Sequence, residues 1–170
     1  MKIALVGYMG SGKSYWAKKL AQKFSVAHFD LDEVLAQEYL NMSVTDFIET
    51  HGELAFRKKE QLALAQIANI PSDYVLATGG GTPCYYDNME FLNQHLRTIY
   101  LQAGVQLLYD RLVREKADRP LIAHIEDTAL KEFIAKHLFE RRVFYEKAHH
   151  VVKAETLNLD QLVELIKDGR

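Results

Sequence analysis

The sequence predicts an α/β protein, a mostly parallel sheet with helices on both of its faces. Two observations predict it. Residues 7–14 read Gly7-Tyr8-Met9-Gly10-Ser11-Gly12-Lys13-Ser14, a complete G-x-x-x-x-G-K-[ST] motif set between an apolar run and a helix-compatible run. Along the rest of the chain, short apolar runs alternate with helical patterns, as strands joined by crossover helices do.

The first strand is Ile3–Val6. After it, Gly7, Gly10 and Gly12 let the backbone turn its N–H groups inward around a polyphosphate. The run Ser14–Leu20 then opens a helix whose N-terminus puts partial positive charge under the same anion. Lys13 can reach the outer phosphates, and the Ser14 hydroxyl can join a Mg²⁺ shell. Strand, loop and helix stand in the order the motif needs, so the chain is expected to bind a nucleoside triphosphate.

The second strand, Val26–Phe29, leads into Asp30-Leu31-Asp32-Glu33. Two aspartates at i and i+2 beyond a strand end point to one side. Asp30 can face Mg²⁺ through water while Asp32 faces a second substrate and accepts its hydroxyl proton. The plainer alternative is that one of them only caps the following helix. A long helix-rich stretch follows, in which Ser43 can cap a helix through Thr45 and Asp46, and it forms a flap beside the sheet.

The helical pattern Glu53–Ile70 carries Arg57, and the third strand, Tyr74–Ala77, ends in Thr78-Gly79-Gly80-Gly81 with no acid. Many nucleotide hydrolases hold their metal with an Asp at that place. The triple glycine suggests close approach of backbone to a small ligand, with a flexible turn as the alternative. Thr98–Leu101, the helix Gln106–Arg114, the polar segment with Arg119, the helix Leu130–Tyr145 with Arg141, and the strand His150–Val152 complete the chain. Arginine meets a carboxylate in a bidentate geometry that lysine cannot reproduce.

At 170 residues, a single domain with a full core is expected. A net charge of −2 gives no electrostatic reason to expect nucleic acid or membrane as a partner. Cys84 is the only cysteine, which excludes an internal disulfide and fits a reducing compartment. No apolar run approaches membrane-spanning length, and the first strand begins too early for a signal peptide, so a cytoplasmic protein is expected. Size alone suggests a monomer. Trp16 reads as packing, and His149 and His150 as flanking a strand rather than binding metal, because no third ligand stands at metal spacing.

Taken together, the ordered set resembles the shikimate kinase family. It comprises Gly7–Ser14, Asp30/Asp32, Phe56-Arg57 with Glu60, Gly79–Gly81, Arg119-Pro120-Leu121 and Arg141 with Tyr145, and it spans residue 3 to about residue 152. The resemblance implies a three-layer α-β-α P-loop kinase fold with a five-stranded parallel sheet of order 2-3-1-4-5. It implies one kinase domain over residues 1–170, a shikimate-binding flap near 31–62 and a mobile lid near 112–124. The implied reaction moves the γ-phosphoryl group of ATP to the 3-hydroxyl of shikimate, on the chorismate route to aromatic amino acids, with Mg²⁺.

By the same resemblance, Lys13, Asp32 and Arg119 are catalytic. Gly10, Ser11, Gly12, Lys13, Ser14, Tyr15 and Arg119 hold the nucleotide. Asp32, Arg57, Gly79, Gly80, Gly81 and Arg141 hold shikimate, and Ser14 with Asp30 serves the metal. The chain departs from the family where a proline-containing turn usually holds adenine, since residues 153–160 contain none, and where Tyr15 replaces a common Thr. Arg111 and Arg114 both remain candidates to stack on adenine or touch phosphate. Two rival readings are a kinase for another small acceptor, such as gluconate or a nucleoside monophosphate, and a nucleotide switch that binds without transferring.

Overall fold

Residues 1–168 are described by a computed structural model. Five strands form one sheet: β1 (Lys2–Val6), β2 (Ala27–Asp30), β3 (Tyr74–Ala77), β4 (Arg97–Gln102) and β5 (His150–Lys153). Their order is β2-β3-β1-β4-β5, and every neighbouring pair is parallel. The central strands are buried on both faces, which is why they read as continuous apolar runs rather than alternating ones.

Alternate residues of each central strand feed two cores. Ala4, Val6, Leu76 and Tyr100 face the layer formed by α4 (Glu53–Ala68), α5 (Asn88–His95), α6 (Val105–Glu115) and α8 (Asp127–Tyr145). Ile3, Leu5, Val75, Ile99 and Leu101 face α1 (Lys13–Phe24) and α9 (Leu159–Asp168). The expected three-layer architecture and strand order are thus present. Among the described residues, no helix is long and apolar enough to cross a membrane.

Element edges moved for local reasons. Val26 lies outside β2, because Ser25 takes a left-handed conformation to end α1 and the Val26 N–H bonds back to Ala21 O. The strand therefore starts at Ala27 and extends to Asp30. There the chain turns straight into α2 (Leu31–Val34), continues through a π-helical turn at Leu35–Leu40, and passes Asn41 in the left-handed region. The short helix α3 (Val44–His51) follows, capped as expected when Ser43 Oγ accepts from the Asp46 N–H at 3.0 Å. Gly52 then turns the chain into α4 with φ +87 and open space around it, so backbone conformation alone calls for glycine there. Between α6 and α8 run a 3₁₀ turn at Lys116–Asp118 and α7 (Pro120–Ala123).

β1 lies between β3 and β4, and the helix that follows it, α1, packs on one face of the sheet while α5 and α6, which follow β3 and β4, pack on the other. The loop after β1 consequently sits at the topological switch point, where open α/β sheets bind ligands.

The central strands should carry most of the stability. Ile99→Ala, at a side chain 0% exposed, should cost about 2–5 kcal/mol in urea unfolding. Val151→Ala on the half-exposed edge strand β5 should cost roughly 1 kcal/mol or less. Equal losses would show that the edge is as tightly packed as the centre.

Candidate active site

The loop after β1 has the conformation its glycines permit, with φ of +144 at Gly7, +78 at Gly10 and +99 at Gly12. It lines a cleft of about 570 Å³ together with Lys13, Ser14, Asp30, Asp32 and the 79–80 turn. Lys13 is buried and folded back, donating from Nζ to Gly7 O at 2.8 Å and to Tyr8 O at 2.9 Å. Burial pulls its ammonium down to about 8, and Arg119 adds to that against the opposing pull of Asp32 and Asp30. A bound polyphosphate would supply the counter-charge this lysine lacks.

Asp30 does two things at once. One carboxylate oxygen accepts from the Asp32 N–H and caps α2, while the other accepts from the Ser14 hydroxyl. The capping role weighed from sequence therefore belongs to Asp30, and it leaves Asp32 free in the first turn of the helix. Both acids line the cleft because of this strand-to-helix turn, not because they share a strand face. Ser14 and Asp30 are hard oxygen donors, which suits Mg²⁺. Among the described residues no three His, Cys, Asp or Glu side chains converge on a metal position, so a cation here would take most of its shell from phosphate and water.

Asp32 is exposed at the cleft mouth, with protein packed around the rest of its carboxylate. Burial pushes its carboxyl up to about 6, and repulsion from Asp30 and Glu60 adds to the shift. Beside it lies a second cavity of about 330 Å³, lined by Arg57 and Arg141. The two cavities meet at Met9, Asp32, Gly79, Gly80 and Arg119.

Arg57 is rigidly held. Its Nη1 donates to both oxygens of buried Glu60 at 3.1 and 3.0 Å, and its Nη2 donates to Glu53 at 3.3 Å. The Tyr85 ring stacks on the guanidinium at 4.0 Å. Arg141, by contrast, has no carboxylate partner among the ion pairs of the described residues, and it is the uncommitted cation of this cavity.

The triple glycine has a sharper meaning than the sequence suggested. A Cβ at Gly79 would lie 3.1 Å from Asp32 Oδ1, one at Gly80 3.1 Å from Met9 N, and one at Gly81 2.5 Å from Arg57 Nη2. None of the three has a left-handed φ. What comes close to this backbone is the protein's own site, and any side chain would push it apart.

Arg119 forms an ion pair with Glu115, one turn earlier, and lines both cavities. Arg111 donates to Gly10 O at 2.9 Å and lines the nucleotide cleft, whereas exposed Arg114 does not. Trp16 packs against the core on the α1 side, as expected, and with Tyr15 edge to face it also lines the cleft. Cys84 is half-buried with its thiol pushed up by burial, as suits an inert thiol. His150 accepts from Arg97, and His149 pairs with Thr98 beside β5.

Sequence reasoning missed Glu53, Tyr85 and Glu115. Glu53 and Glu115 each had a signal, an i, i+4 spacing to Arg57 and to Arg119; Tyr85 had none.

A phosphate loop on a switch-point strand, opening into a second cavity across a carboxylate, defines a P-loop phosphotransferase. Comparison narrows this class. The family profile described as shikimate kinase matches residues 9–168. A shikimate kinase of Flavobacterium johnsoniae is 39% identical over 98% of this chain and 97% of its own. The crystal structure of shikimate kinase from Bacteroides thetaiotaomicron superposes with TM-score 0.91 at 34% identity, covering 98% of both chains. That of Acinetobacter baumannii, in complex with shikimate, gives 0.86 at 29% identity over 99% of this chain and 94% of that one. The chain belongs to the shikimate kinase family. It is accordingly an ATP-using kinase, consistent with a divalent metal.

The crowding of acids around Asp32 has a consequence for stability. Its folded-state carboxyl sits above the ordinary 3.8, so the native protein loses stability as pH rises from about 4 through about 6. Asp32→Asn should raise Tm at neutral pH by about 1–2 °C, a modest gain because solvent screens the exposed carboxylate. The difference should vanish below about pH 3, where the carboxyl is protonated in the folded and the unfolded chain alike. A lower Tm at neutral pH would show that the carboxylate is stabilised in place.

Proposed function

We propose that this chain transfers the γ-phosphoryl group of ATP to the 3-hydroxyl of shikimate, with each site residue in a defined role. One observation carries the reading: the phosphate cleft and an arginine-lined cavity meet at Asp32 and Arg119. A phosphoryl donor in one and a carboxylated polyol in the other would present their reacting oxygens to each other there.

In this reading the backbone of Gly10, Ser11, Gly12, Ser14 and Tyr15 cradles the phosphates, and Lys13 swings from Gly7 O and Tyr8 O onto the outer ones. Ser14 and Asp30 hold Mg²⁺, which when bound neutralises phosphate charge. Asp32 orients the attacking hydroxyl and takes its proton. Its carboxyl near 6 makes it mostly ionised, and still basic, at neutral pH.

Arg141 meets the shikimate carboxylate as a free cation, and Arg57 does so as a fixed donor braced by Glu60. The 79–81 backbone forms the cavity floor under the ring. Arg119 leaves Glu115 to reach the transferring group when the lid at about 112–124 and the flap at about 31–62 close over the ligands. Catalysis is then mostly positioning and electrostatic stabilisation. The acceptor is a small molecule, the lone free thiol suits the reducing cytoplasm, and size suggests a monomer.

The test is ADP release with Mg-ATP and a panel of shikimate, quinate, gluconate, AMP, CMP or no acceptor. Turnover should require shikimate. Turnover with another acceptor alone would overturn the assignment. Lys13→Ala should abolish activity, and Asp32→Asn should lower kcat by about 10²-fold or more while nucleotide affinity changes little.

The pH profile follows from the same two groups. The ionised Asp32 and the protonated Lys13 are both required, so kcat/KM of the free enzyme should fall below about 6 and above about 8. In the residual activity of Asp32→Asn the acid limb should be gone. A limb that persists would assign it to another group.

A further inference from the structure

Tyr8 lies inside the phosphate loop, yet its side chain points away from the cleft and is 1% exposed. Its hydroxyl meets His137 Nδ1 at 2.8 Å, and the rings pack edge to face at 5.4 Å. Burial holds the phenol protonated and pulls the His137 imidazole down to about 4, with Arg141 adding to the latter shift. The phenol is therefore the donor and neutral imidazole the acceptor. His137 also packs against Phe133, with ring centroids 5.2 Å apart.

His137, Arg141 and Tyr145 follow one another at four-residue spacing, so they share one face of α8. Tyr145, at the far end, donates its hydroxyl to Gly80 O at 2.6 Å. The helix is thus fastened on both sides of Arg141, to the phosphate loop by His137 and to the acceptor turn by Tyr145. The same Tyr8 residue accepts Lys13 Nζ on its carbonyl, which ties the phosphate lysine to this fastening. Arg141 has no carboxylate partner among the ion pairs of the described residues and contacts Tyr145 of the same helix, so its placement depends on where the helix sits.

We propose that Tyr8 and His137 are positioning residues, setting the distance from the phosphate loop at which Arg141 receives the acceptor carboxylate. This rests on the assignment of Arg141 to that carboxylate. The Tyr8–His137 bond lies outside both cavities and touches neither substrate, so it acts only through the helix. A buried neutral hydrogen bond between two packed rings has the directionality to set a helix to within a few tenths of an ångström. Bidentate recognition of a carboxylate is sensitive to displacements of that size.

The experiment is a double-mutant cycle on shikimate KM with Tyr8→Phe and Arg141→Lys, with ATP KM and Tm measured on each protein. Tyr8→Phe keeps the ring and removes only the hydroxyl. It should raise shikimate KM about threefold to tenfold, with ATP KM changed by less than about twofold. In the Arg141→Lys background the same substitution should add less than about twofold. His137→Asn, which keeps an acceptor near the Nδ1 position, should retain more of the shikimate affinity than His137→Phe.

Equal effects of Tyr8→Phe in both backgrounds would overturn the proposal, because the hydroxyl would then act independently of Arg141. So would a loss of kcat and Tm with shikimate KM unchanged, the mark of a merely structural bond. If Arg141→Lys alone leaves shikimate KM unchanged, the carboxylate assignment fails and the positioning role falls with it. If Arg141→Lys raises KM and Tyr8→Phe does not, only the positioning role fails.

Discussion

Backbone meets backbone where the loop after β1 passes the turn after β3. A Cβ on Gly80 would stand 3.1 Å from Met9 N, so the two strand ends approach as closely as they do only because no side chain intervenes. On one side of that contact is the phosphate cleft, on the other the arginine-lined cavity. Gly79 and Gly81 extend the constraint to Asp32 and Arg57. The separation between a bound phosphoryl donor and its acceptor is therefore a property of strand packing, set before any ligand arrives. This is how a rigid sheet can supply the proximity that phosphoryl transfer needs.

Charge in the ligand-free site is arranged against its own comfort. Lys13 is drawn toward neutrality by burial, Asp32 likewise, and Arg141 stands without a carboxylate. Each would be relieved by something a substrate carries: phosphate for the lysine, a hydroxyl proton for the aspartate, a carboxylate for the arginine. Other charges are held by the protein itself, Arg57 by Glu60 and Glu53, and Arg119 by Glu115. The distinction is physical. The braced arginine is buried in α4, where an unpaired guanidinium would be costly, while Arg119 is paired nearer the surface, where an ion pair is easily exchanged.

The candidate site was legible wherever its residue types are dictated by local chemistry. The phosphate loop needs glycines at positive φ followed by Lys-Ser, and those letters stand together in Gly7–Ser14. The central strands were legible because burial on both faces leaves only apolar residues. The half-exposed edge strand β2 was misplaced by one residue for the converse reason. Tyr8, His137 and Tyr85 carried no such signal. An aromatic or an acid in a helix is compatible with many environments, and only the fold decides which guanidinium or ring it meets.

The sequence by itself determined the alternation of strands and helices, the phosphate loop and the pair of acids at the end of β2. These follow from patterns spanning a few residues, where periodicity, glycine conformation and helix capping act locally. Only the tertiary structure decided that Asp30 caps while Asp32 is free, that the triple glycine makes room for the protein's own side chains, and that Arg111 rather than Arg114 faces the cleft. Those outcomes depend on contacts between segments such as Gly10 with Arg111 and Tyr8 with His137, more than a hundred residues apart in the chain. No local rule specifies such contacts, because they exist only once the sheet order has brought the strand ends together.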